Sequence, residues 1–282
     1  MLLGPEKSLR DHQSRMNDST RGQWDWYASH RRHIERLILP PTPGRRTGRI
    51  CVLGAGNCND LDLHWMLDVY TEVHLVDIDP AALDRALKRQ KIDPTNRPIH
   101  RHAPIDLTNI ADLTRGWKSR PVSDVEAHAA IAKVSEPINL PNLPGPFDTV
   151  LSPCVLSQLL CGVRDLLGKD HPHWPNLKNA LRARHLQTIN HLLTPAGRAV
   201  LVIDLASSNR LPGLARATDH DLPQLLHYAI THQKSFRGLE PQELTTRLRH
   251  HYPRATPTIS PPWLWHLSLA KAFLVYAMTW TR

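Results

Sequence analysis

Apolar residues along this chain fall into two alternating patterns. Short, nearly unbroken runs (Ile50-Cys51-Val52-Leu53, Val73-His74-Leu75-Val76, Val150-Leu151 and Ala199-Val200-Leu201-Val202-Ile203) alternate with longer stretches in which apolar positions recur at helical spacing. An unbroken run suits a strand buried on both faces of a parallel sheet, and the longer stretches suit the helices that cover it. The pattern predicts strands over 49–54, 71–76, 99–105, 147–153 and 198–204, then two adjacent strands over 263–267 and 272–280 close enough to pair antiparallel. Helices are predicted over 60–69, from Pro80, over 124–133, after Cys154, over 176–193, 221–231 and 240–249. Asp79 is the natural cap of the helix that Pro80 opens.

Ahead of the first strand, residues 1–16 read as a polar, loosely held start. Asn17-Asp18-Ser19-Thr20 reads as a cap for an amphipathic helix carrying Trp24, Tyr27, Ile34, Leu37 and Ile38. That helix either packs its aromatic face on the main domain or serves as a lid. Pro40 to Gly48 is a linker by composition. The organisation expected is an N-terminal helical extension over 1–40 and one α/β domain over 41–282. That domain carries inserts near 107–146 and 206–250, which are expected to form a substrate pocket together with the extension.

Composition narrows the classes. The 282 residues suffice for one large domain with extensions. No apolar run approaches the roughly 20 residues of a membrane span, and Met1 to Lys7 lacks the features of a secretory leader, so a cytoplasmic protein is expected. Cys51, Cys58, Cys154 and Cys161 show no paired spacing and read as buried free thiols rather than zinc ligands; no metal site is expected. The net charge of +9 permits an anionic partner, but the basic residues are spread along the chain.

The chemistry centres on Gly54-Ala55-Gly56, directly after the first strand. Glycine allows a sharp turn and a close backbone approach to a ligand. Asp77 closes the second strand about 20 residues later, the separation of an acid that holds ribose hydroxyls. Taken with Asp106 after the third strand, Ser152-Pro153-Cys154 after the fourth, Leu192-Leu193-Thr194-Pro195-Ala196-Gly197 before the fifth and the closing strand pair, the chain resembles the class I S-adenosylmethionine-dependent methyltransferases. The resemblance implies an α/β three-layer sandwich around a seven-stranded, mostly parallel sheet of order 3-2-1-4-5-7-6 with an antiparallel last strand. It implies S-adenosylmethionine as cofactor: Gly54, Ala55 and Gly56 beneath its methionine part, Asp77 and Ile78 at the ribose, Asp106 and Leu107 at the adenine, and Ser152 and Pro153 in the floor. Two positions depart from the family pattern. Val52 stands where many members carry an acid, and Cys58 replaces a third glycine; Asn57 or Asp60 is then left to meet the cofactor's amino group.

A nicotinamide cofactor fits less well, because Asn59 stands where its fingerprint needs glycine. Transfer of an activated methyl by in-line displacement needs positioning and exclusion of water, with a base only if the acceptor binds protonated. The catalytic candidates are His30, Cys154 and Gln158, and Cys154 reads as a pocket-lining residue rather than a nucleophile. A small-molecule acceptor is expected. The alternatives are an RNA methyltransferase using the basic surface and a cofactor-binding protein without catalysis. The acceptor atom and the oligomeric state are not legible.

Overall fold

The computed structural model describes residues 8–39, 46–140 and 142–282; residues 40–45 of the expected linker Pro40 to Gly48, and the start Met1 to Lys7, lie outside the described residues. Five parallel strands form the centre of one sheet. β1 (Arg49–Leu53) lies between β2 (Glu72–Val76) and β4 (Phe147–Pro153); β3 (Ile99–His102) flanks β2 and β5 (Leu193–Ser207) flanks β4. β8 (Ala272–Thr281) runs antiparallel to β5. On its other side lie β6 (Thr258–Ile259) and β7 (Trp263–His266), also antiparallel.

The observed order is β3-β2-β1-β4-β5-β8-β6, with β7 also on β8. Ile259 pairs with Met278 and Trp263 with Val275, so β6 and β7 are successive parts of one edge strand. Pro261 and Pro262 interrupt it, since proline has no N–H to give to a ladder. The expected order therefore holds, with its sixth strand broken in two. Thr258 and Ile259 were too short a segment to read as a strand in the sequence.

Alternation along the strands sorts side chains into two core layers. Val150, Leu201 and Ile203 face helices α5 (Asp124–Val134), α6 (Val155–Leu167), α7 (Trp174–His191) and α9 (Pro241–His251). Leu151, Val200 and Val202 face α2 (Ala28–Ile38), α3 (Leu63–Val69) and α4 (Pro80–Arg89). A smaller cluster lies under α8 (Leu222–Thr231).

Several boundaries differ from expectation; β5, for one, runs over Leu193–Ser207 rather than 198–204. Residues 9–20 are not loose: Ser8 caps α1 (Leu9–Thr20), its Oγ accepting from Asp11 N–H at 3.3 Å, and Leu9 is fully buried. Asn17 to Thr20 thus end a helix instead of capping one. α3 begins at Leu63, capped by Asp62, so a polar loop separates the glycine turn from the helix. Cys161 is exposed, while Cys51, Cys58 and Cys154 are buried as expected. The 107–146 insert packs α5 on α7, held by Arg184, whose buried guanidinium donates to the carbonyls of Leu107, Val134 and Glu136.

Candidate active site

The site is built on the crossing from β1. The N–H groups of Gly54 and Ala55 both donate to Val76 O, at 2.8 and 3.0 Å, which draws the turn over the end of β2. Gly54 has φ +69°, and a Cβ there would lie 2.2 Å from Val155 Cγ2. Only glycine fits both the backbone and the space. Cys58 adopts φ +47°, a conformation glycine takes without cost, and its side chain is buried in the core. Val52 is likewise buried between Leu75 and Leu151, so in this chain both departures from the family pattern serve packing.

Asp77 stands across the turn. Its Oδ2 accepts from Gly56 N–H and its Oδ1 from Asp79 N–H, both at 2.8 Å. Burial still pushes its carboxyl up to about 6. Asp79 caps α4, as expected.

The N-terminal helix α1 closes over this turn. Asn57 Nδ2 donates to Asn17 O at 2.6 Å, Asn59 Nδ2 to Thr20 O at 2.7 Å, and Asn17 Nδ2 to Asp79 Oδ2 at 3.2 Å. Arg85 reaches Asn57, Asp18 and Asp79 from α4. At the other end of α1, Gln13 donates to Gln158 O and the Leu9–His12 turn lies against Gly162, where a Cβ would clash at 2.9 Å. The polar residues after the glycine turn thus tether the end of α1 over it.

Two cavities lie beneath α1, on either side of Gly54. A cavity of about 130 Å³ runs past Ala55, Gly56 and Asp60 to Pro153, Cys154 and Asp204. A smaller one of about 30 Å³ is bounded by Asp77, Ile78, Ile105, Asp106 and Leu107. Asn17, Gly54 and Gln158 line both. The far wall of the larger cavity comes from Tyr27 and from the β7–β8 hairpin, through Trp265, Leu267 and Phe273. Among the described residues, the expected inserts supply none of it, and beneath α1 they contribute Leu107 alone, in the smaller cavity. The Trp265 ring lies 5.0 Å from Tyr27 and 5.3 Å from Phe273, forming an aromatic wall.

Two carboxylates in the larger cavity give it its chemistry. Asp204, on β5, is buried and accepts a hydrogen bond from Ser157 Oγ; burial pushes it up to about 7 despite that bond. Asp60 keeps part of its surface open toward the cavity but is otherwise enclosed, and burial pushes it up to about 7 as well. A group titrating near neutrality beside a reaction site suits proton transfer. In the sequence Asp204 closes an apolar run with no motif around it, and only the fold brings it to the cavity.

The other candidates divide. Cys154 lines the cavity from a left-handed position (φ +52°), and burial followed by the Asp204 and Asp60 charges raises its thiol well above the ordinary range, so it is no ready thiolate. Ser152 is turned away: strand alternation aims it at α7, where its Oγ lies 2.7 Å from His185 Nε2. His30 lies behind the aromatic wall, stacked on Trp265, with its Nδ1 accepting from Trp263 Nε1 at 3.0 Å; burial lowers it to about 3. It does not reach the cavity. Asp106 borders the smaller cavity, but its oxygens already accept from Thr108 N, Thr108 Oγ1 and Ala111 N.

Among the described residues, Glu72, His74 and His100 bring ligand-type atoms together away from the turn. The two imidazoles are stacked, 4.6 Å apart, and His74 Nε2 already faces Glu72 at 3.0 Å. In-plane lone pairs of stacked rings point side by side rather than at a common ion.

The sheet has the order 3-2-1-4-5 with the antiparallel β8 beside β5, and two small cavities flank the turn after β1. The chain has the class I methyltransferase fold. No protein-family profile matches the chain, and no curated protein matches it. Solved structures similar to it include a putative S-adenosyl-L-methionine-dependent methyltransferase from Methanococcus maripaludis, 12% identical over 98% of this chain and 96% of that one, TM-score 0.48. The S-adenosylmethionine-dependent methyltransferase from Methanosarcina mazei is 13% identical over 84% and 93%, TM-score 0.48. The N-methyltransferase NodS from Bradyrhizobium japonicum is 11% identical over 92% and 97%, TM-score 0.44. At such identities and scores these neighbours do not decide an activity, and the fold assignment rests on this chain's own strand order.

Proposed function

We propose that this protein is an S-adenosylmethionine-dependent methyltransferase acting on a small molecule. The observation that carries the reading is the pair of cavities meeting at Gly54, with the buried Asp77 bordering one and Asp60 and Asp204 bordering the other. The residues fit the cofactor. A turn of glycine and alanine runs beside a carboxylate at the end of β2, which suits a ribose, and Ile78, Ile105 and Leu107 offer an apolar slot for a base. Asp60, with Asn57 next to the turn, suits an amino group. When bound, S-adenosylmethionine would supply an activated sulfonium methyl.

The chain's own residues would do the rest. Asp77 would accept hydrogen bonds from ribose hydroxyls while holding Gly56 and Asp79. Pro153, Cys154 and Gln158 would form the floor. The aromatic wall of Tyr27, Trp265 and Phe273 would hold the acceptor and exclude water. Asp204, with its affinity for a proton near neutrality and its hydrogen bond to Ser157, would take the acceptor's proton. Because Asn17 and Gln158 narrow the passage between the cavities, α1 must shift for an extended ligand to enter. The site's cover over the larger cavity supports a small acceptor rather than a long chain of nucleotides. A cytoplasmic setting accords with three buried free thiols.

Calorimetry with S-adenosylmethionine and S-adenosylhomocysteine tests the reading, and binding of neither would overturn it. Transfer of labelled methyl to candidate amines and hydroxyls, lost in Asp204→Asn with cofactor binding retained, would support the assigned base.

A further inference from the structure

A third cavity, of about 340 Å³, lies on the other side of α6, between α7 and the turn that follows α8. Its size is within the range of small-molecule sites. Arg164, Lys178, Arg210 and Arg237 line it, and no acidic residue does. Four cations facing one space without a carboxylate among them repel one another unless an anion is present.

The nearby acids are engaged elsewhere. Glu240 accepts from Ser235 Oγ at 2.7 Å and Gly238 N–H at 2.6 Å, and Glu243 pairs with Arg182 and Arg247. Several donors on the cations remain open. Arg164 Nε is buried without a hydrogen-bond partner, and Lys178 makes no ion pair or hydrogen bond among the described residues. Burial, followed by the Arg182 charge, lowers the Lys178 ammonium from its ordinary value. Arg210 is fixed by its bond to Ser235 O at 2.8 Å and by the Phe236 ring 4.8 Å away. Phe236 is itself anchored to the end of β5 through Leu205 O. Trp174 and Leu160 add apolar surface to the lining.

We propose that this cavity is a binding site for an organic phosphate, its phosphoryl group held by Lys178, Arg210 and Arg237 and its apolar part lying against Trp174 and Phe236. Guanidinium groups match phosphate oxygens in charge and geometry, and the ring surfaces favour a phosphomonoester with an aromatic or apolar substituent over the bare ion. The site is distinct from the cavities under α1. Ser157 alone links them, lining this cavity while donating to Asp204 in the other.

Phenyl phosphate is the probe. Titrated calorimetrically into the full chain, it is expected to bind more tightly than inorganic phosphate and far more tightly than phenol, with affinity falling as salt rises. Lys178→Gln and Arg210→Gln are each expected to weaken it by about tenfold. Arg237→Gln changes an exposed side chain, so it leaves folding intact and should weaken binding severalfold without altering S-adenosylhomocysteine affinity. Equal binding of phenyl phosphate and phenol would overturn the anion site. Equal binding of phenyl phosphate and inorganic phosphate would overturn the organic ligand. Unchanged phenyl phosphate affinity in Arg237→Gln combined with Lys178→Gln would overturn the location.

Discussion

Replacing Asp204 with Asn should make the protein more stable and less active. In the folded chain burial raises this carboxyl from 3.8 to about 7. The sign follows from linkage. Between those two values the folded state keeps a proton that the unfolded chain has released, so stability falls as pH rises through the window. The cost is absent below the unfolded value and fully developed above the folded one. A shift of that size corresponds to at most about 4 kcal/mol. Asparagine carries no charge to desolvate, and its amide oxygen can still accept from Ser157. Urea unfolding of both proteins across this range should therefore give nearly equal stabilities at about pH 4 and a gap approaching a few kcal/mol in favour of the variant at about pH 8. Methyl transfer, in contrast, should drop by about a hundredfold or more if Asp204 accepts the acceptor's proton. A variant less stable than the parent at the higher pH, or a gap independent of pH, would refute the burial argument. Full activity in a stabilised variant would keep the electrostatics and remove the catalytic role.

Asp77→Ala should weaken S-adenosylhomocysteine binding by more than about 1 kcal/mol, since hydrogen bonds to a buried carboxylate would be lost; calorimetry showing unchanged affinity would remove Asp77 from the ribose site. Cys154→Ser should keep transfer within a few-fold of the parent because the thiol is held protonated, and complete loss with normal cofactor binding would point to a covalent role. Gly54→Ala forces a Cβ to 2.2 Å from Val155 at a positive φ and should cost roughly 1–3 kcal/mol of stability, read from a shifted denaturation midpoint. Arg85→Ala unties α4 from Asp18 and Asn57 and should speed cofactor release in stopped flow, whereas an unchanged off-rate would mean that α1 does not gate the site.

Much of the frame was legible in the chain because local rules govern it. The apolar run Ile50 to Leu53 and the run Ala199 to Ile203 have no polar face, so both had to be interior strands. Asp79 before Pro80 could only be read as a cap. Gly54 signalled a turn that no other residue could make, and Asp77 was found by its distance from it. Where several weak signals compete, local pattern misplaces the element. Asn17 to Thr20 carry capping side chains, yet a helix already in progress from Leu9 ends there, its sparse apolar positions explained only by burial against α6.

Sequence alone, then, determined the parallel strands, the glycine turn and the acid at Asp77, since periodicity and backbone sterics act over a few residues. Tertiary structure decided which groups share a cavity. Asp204 and Asp60 are distant in sequence and share a cavity because β5 and the loop after β1 both border it. Ser152 lost its expected place to strand alternation, and His30 to the aromatic wall in front of it. The seating of α1 was decided the same way: asparagines after the glycine turn reach back across the fold to its end, a pairing that no local spacing encodes.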